Sequence, residues 1–100
     1  MCEFTVKDLS DGSQLGEEIV VMSYTDEKSL LLKDILGVAQ KMDSALIYDV
    51  DTLDQTCKLI QHPLINPFLT LVEKLSKNEV KTSDIEIVQE KLEEIKKSLE

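Results

Sequence analysis

The stretch His62-Pro63-Leu64-Ile65-Asn66-Pro67-Phe68 divides the chain into two patterns. Each proline lacks an N–H and restricts the residue before it, so a β-ladder does not continue through this segment. A proline is tolerated in the first turn of a helix, and Pro67 suits that position. Beyond it the apolar period becomes helical, with Phe68, Leu69, Val72 and Leu75 on one face. "SKNEVKT" ends this helix. Ser83 stands three residues before Glu86, a capping-box signature for a second helix. Ile85, Val88, Leu92, Ile95 and Leu99 then recur at 3-4-3-4 spacing, a narrow apolar seam between polar faces. A seam of this kind needs a partner: the preceding helix in an αα-hairpin, or another protein chain.

Upstream of His62 the period is two. In "CEFTVKDL", Phe4 and Val6 point one way while Glu3, Thr5 and Lys7 point the other. "SDGS" reads as a turn, and "EIVVMSYT" as a β-branched, aromatic second strand. "LLLKDIL" fits either a strand or the start of a helix running through Met42. Gly37, directly after it, favours a strand ended by a turn. "ALIYDV" and "TCKLI" read as two further strands joined by the acidic "DTLDQ". The expected architecture is α+β: a small antiparallel β-barrel-like sheet over residues 1–61, followed by a C-terminal helical hairpin over 62–100.

Composition narrows the function. The 100 residues are 42% hydrophobic and 31% charged, a globular balance. The net charge is −9 and there is no arginine. Residues 1–61 carry 12 acids against 5 lysines; residues 62–100 carry 8 against 6. Phosphate neutralisation needs Lys and Arg, so this acidity argues against nucleic acid as a partner. There is no apolar run long enough for a membrane span and no secretory signal pattern. A cytoplasmic location with reduced cysteines is the corresponding expectation.

No catalytic constellation is present, and the chain reads as a non-enzyme. The one histidine, His62, has no second His or placed nucleophile, and a structural or solvent role is expected for it. Cys57 and His62 are five residues apart, which on one strand sends them to opposite faces; Cys57 reads as a packed strand residue. Asp49, Asp51 and Asp54 invite a calcium reading. They fail the EF-hand pattern, because Leu53 stands fifth and Ile60 twelfth; solvated hairpin carboxylates are the simpler account. Cys2 is different. Its thiolate lies beside backbone nitrogen, and loss of Met1 would add a free amine. One chain offers too few donors, but two chains about a twofold axis would offer a nitrogen–sulfur set suited to Ni(II) or Cu(II). The alternative is a buried second-residue cysteine.

The opening "MC" before a strand, "LGEEIVVMS", "LLLKDILG" and "ALIYDVDTLDQTCKLI" together resemble the CooT-like proteins. These are small nickel-binding accessory proteins linked to carbon monoxide dehydrogenase maturation; much of the wider family carries a predicted RNA-binding label. The resemblance covers residues 1 to about 61. It implies a small β-barrel-like fold, a homodimer, and metal held by the cysteine at position two, here Cys2. Residues 62–100 extend past the family's core unit. The leading expectation is a homodimeric accessory protein with Ni(II) on Cys2. The alternatives are an interaction module that binds a partner protein through Ile85, Val88, Leu92, Ile95 and Leu99, and, behind it, an RNA-binding protein.

Overall fold

The computed structural model describes residues 2–100. Six strands and two helices follow in order: β1 (Phe4–Asp8), β2 (Gln14–Tyr24), β3 (Leu30–Asp34), β4 (Ala39–Met42), β5 (Ala45–Asp51), β6 (Thr56–Gln61), α1 (Ile65–Ser76) and α2 (Thr82–Ser98). The strands form one sheet in the order β4-β3-β2-β1-β6-β5. The fold class is α+β, as expected.

Local chemistry sets the turns. Asp8 and Asp11 accept the backbone N–H of Ser10 and Ser13, and Gly12 takes a φ of 72° between β1 and β2. After β3, Asp34 accepts from both Leu36 and Val38 N–H, and Gly37 sits at φ 85°. "LLLKDIL" is therefore a strand closed by a turn, not the start of a helix. The returning strand β4, "AQKM", has no β-branched residue and was not foreseen. It forms because its edge pairs with β3 from Leu30↔Met42 to Lys33↔Ala39.

One correction concerns direction. Four of the neighbouring strand pairs are antiparallel, but β1 and β6 run parallel, with Thr5 opposite Thr56 and Asp8 opposite Leu59. Everything from β2 to β5 makes the crossover that a parallel pair requires.

The sheet curls without closing. Two irregularities in β2 shift its register, one against β1 between Gly16 and Ile19, where Glu18 stands at φ 54°, and one against β3 between Ile19 and Val21; bulges of this kind sharpen twist. The curl brings the end of β2 to the far edge of the sheet. There the Tyr24 hydroxyl donates to the Ala45 carbonyl at 2.9 Å and accepts Ile47 N–H at 3.3 Å. A side chain thus spans the gap that a strand pair would fill in a closed barrel. Inside the curl lies the core: Val6, Ile19, Leu30, Leu32, Ala45, Cys57 and Leu59, flanked by Phe4, Leu15, Met22, Met42 and Ile47.

The helices attach at one end of this sheet. His62 N–H donates to the Ser44 carbonyl, and His62 Nδ1 accepts Leu64 N–H at 3.0 Å. Pro67 occupies the first turn of α1. At the other end of α1, Asn78 stands at φ 57°, and Glu79 N–H reaches back to the Lys74 carbonyl, a Schellman-type stop. The second helix starts one pairing earlier than its sequence suggests. Lys81 N–H donates to Asp84 Oδ2 at 2.8 Å, so Lys81 and Asp84 form the cap rather than Ser83 and Glu86. Asp84 is chosen because its other oxygen holds Lys74 of α1 at 2.8 Å.

The hairpin projects instead of covering the sheet. The radius of gyration is 15.6 Å, where a compact chain of this length has about 13 Å. No residue of α1 is fully buried. In α2, Val88 is buried at 8% exposure, while Leu92 remains 49% and Leu99 82% exposed.

Candidate functional site

Cys2 lies just before β1, and its side chain is exposed. The buried alternative for it is therefore not what forms. The other expected donor, the Met1 amine, lies outside the described residues. Parallel pairing fixes the local geometry. Thr5 N–H donates to the Gln55 carbonyl at 2.9 Å, which docks the start of β1 against the β5–β6 turn. The β2 bulge faces the same place from the opposite side.

A shallow cleft results, lined by Glu3, Phe4, Thr5, Glu17, Glu18, Asp54 and Gln55. Four of these are carboxylates and none is a lysine. The end of the chain that carries Cys2 is thus an anionic pole. Such a field raises the local concentration of cations, and the exposed thiol supplies a soft donor. Among the described residues no three His, Cys, Asp or Glu side chains converge as a metal-holding group. Within one chain the carboxylates form a rim rather than a closed cage.

The other sequence candidates separate. Asp51 Oδ1 accepts Leu53 and Asp54 N–H at 2.9 and 3.1 Å, and so shapes the β5–β6 turn. Asp49 stands across from Lys58, and Asp54 lines the cleft with Glu3, Glu17 and Glu18. The three aspartates do not share a site. Cys57 is fully buried in the core. Burial pushes its thiol above the ordinary value, and the Asp49 carboxylate adds to this, so it stays protonated at neutral pH. His62 is exposed and serves the turn into α1. Glu3, Glu17 and Glu18 escaped the sequence reading because they come from different strands, and only the bulge and the parallel register bring them together. No helix among the described residues is long and apolar enough to cross a membrane.

Comparison with known proteins agrees with this geometry at the level of fold. No protein-family model matches the chain, and no curated protein does. Among solved structures it is similar to the crystal structure of "putative CooT" from Carboxydothermus hydrogenoformans, at 22% identity and a TM-score of 0.54. The alignment covers 61% of this chain and 98% of that one. Nearly all of the smaller protein therefore has a counterpart here, and this chain adds residues beyond it. The chain has a CooT-like fold.

Proposed function

We propose, on the premise of that fold, that the chain is a non-enzymatic accessory protein that carries nickel as cargo on Cys2. The observation supporting this reading is the exposed Cys2 thiol, one residue before Glu3, which lines a cleft together with Glu17, Glu18 and Asp54. The thiolate and its adjoining backbone nitrogen bind the ion, and the carboxylates attract it. An exposed, incomplete donor set suits a carrier, because the ion must leave again. A second chain completes the set with its own Cys2, and a nickel enzyme such as carbon monoxide dehydrogenase receives the metal.

The test is an anaerobic Ni(II) titration followed by sulfur-to-metal charge-transfer absorbance and by intact-mass analysis. Wild type binds one ion per two chains. Cys2→Ser loses tight binding and keeps its fold, because Cys2 lies outside the core. Cys57→Ser keeps binding and loses stability, since a hydroxyl replaces a thiol in an apolar site at a cost of roughly 1–3 kcal/mol. Affinity falls as pH drops, because protons compete with metal for the thiolate. Unchanged tight binding in Cys2→Ser would remove the ligand role.

A further inference from the structure

His62 stands where the sheet passes the chain to the helices. Its N–H donates to the Ser44 carbonyl at 3.0 Å, which ties the end of β6 to the β4–β5 turn. Its Nδ1 accepts Leu64 N–H at 3.0 Å, across Pro63. Leu64 is the residue before α1, whose first turn holds no acidic side chain and whose start has no side-chain cap bond. The imidazole thus fixes the turn into the helix, and it does so as an acceptor. It can accept only while that nitrogen is unprotonated; imidazolium has two donors and no acceptor.

Protonation therefore sets N–H against N–H at this point. It also brings a positive charge to the positive end of α1. Among the described residues no carboxylate pairs with the ring to offset that charge. The side chains that line a hollow with His62 are Leu46 of β5, Ile60 of β6, and Leu64, Ile65 and Phe68 at the start of α1, all apolar. Charged groups on the same elements are engaged elsewhere. Asp43, beside Ser44, accepts the Ser29 hydroxyl. On β5 and β6, Asp49 stands across from Lys58, and Asp51 accepts from the β5–β6 turn. On α1, Glu73 and Lys74 are held by Lys28 and Asp84. The other polar ties between hairpin and sheet are few: Asn66 N–H reaches Ser44 Oγ at 3.4 Å, and the Lys28–Glu73 bridge spans 2.8 Å. No residue of α1 is fully buried.

We propose that His62 is a pH-sensitive joint between sheet and hairpin. Neutral, it holds the hairpin at one angle to the sheet. Protonated, it releases Leu64 N–H, and the hairpin swings about residues 62–64 while the sheet stays folded. The sign follows from the bond. The joint is tight where the imidazole is neutral and loosens as pH falls through the range in which histidine ordinarily changes charge, about pH 8 to 5. The seven core residues all lie in strands, so the swing leaves them packed. The joint involves neither Cys2 nor metal.

Residual dipolar couplings of the metal-free full chain at about pH 7.5 and 5.5 read the angle between hairpin and sheet, in a range where carboxylates of ordinary value stay ionised. At the upper pH one alignment fits both parts. At the lower pH the couplings of α1 and α2 shrink relative to those of the sheet. Protection of the Leu64 amide drops roughly fivefold, the weight of one ordinary hydrogen bond. His62→Asn keeps an acceptor for the N–H two residues on, without a titrating ring, so its hairpin stays fixed at both pH values. His62→Ala has no acceptor and is loose at both. Four results overturn the proposal: a wild-type hairpin that keeps its angle at the lower pH, a His62→Asn hairpin that loosens there or is loose throughout, a His62→Ala hairpin that stays fixed, or a sheet that unfolds in step with the hairpin.

Discussion

Tyr24 shows how one side chain sets the limits of this sheet. Its hydroxyl takes the place of a strand partner for Ala45 and Ile47, and this holds the curl shut. Burial pushes its ionisation above the usual tyrosine value, with the nearby Cys57 adding to this and the bond from Ile47 opposing it. A raised value means the phenol's contribution is complete below pH ~10 and is lost as pH rises toward the folded-state value. Tyr24→Phe removes the donor to Ala45 and leaves Ile47 N–H without its acceptor. The expected cost is about 1 kcal/mol, a fall in Tm of ~4–8 °C for a domain of this size. The alkaline loss of stability should also shrink in the variant. Thermal scans at neutral and alkaline pH read both effects, and an unchanged Tm would mean the curl is held by packing alone.

At the scale of elements, the joint between the helices is an ion pair with a second duty. Asp84 caps α2 through Lys81 N–H and holds Lys74 of α1. The Lys74 hydrogen bond first, then the Lys81 bond, keep its carboxyl below the ordinary 3.8. A depressed value contributes stability that is present above pH ~4 and is lost as pH falls through the lower folded-state value. Asp84→Asn keeps an acceptor for the cap but loses the ion pair. The hairpin of the variant should loosen already at neutral pH, seen as faster amide exchange in the first turn of α2, and should show no further change in acid. This cap also marks how much the sequence disclosed. Five strands and both helices were legible, because alternation and the 3-4 spacing report burial directly. Strand β4 was not, since "AQKM" is held by pairing at an edge and carries no pattern of its own. The Ser83–Glu86 box fitted the spacing, but tertiary pairing with Lys74 favoured Asp84. Cys2 was legible as chemistry; its carboxylate neighbours depended on a bulge and a parallel register that local sequence does not encode.

For the whole molecule, the question is whether the sheet needs the hairpin. The seven core residues all lie in β1, β2, β3, β5 and β6, and none in a helix. The crystal structure aligned above matches 61% of this chain over 98% of its own length, so a sheet of this kind stands with little beyond it. The hairpin meets the outer face of the sheet only at its root, where Leu64, Ile65 and Phe68 line an open apolar hollow with Leu46 and Ile60. Ending the chain after Gln61 therefore removes one wall of that hollow and leaves the core in place. The truncated chain should fold, with a stability of roughly 3–9 kcal/mol expected for its length, and should unfold at a lower temperature than the full chain. It should keep the Cys2 cleft, because Thr5, Gln55 and the β2 bulge are all retained. Far-UV circular dichroism with thermal unfolding, followed by a nickel titration, separates these outcomes. An unfolded truncation would show that contacts from α1 to β5 and the Lys28–Glu73 bridge at 2.8 Å are part of what holds the sheet. A folded one that still binds nickel would locate metal handling in the strands alone.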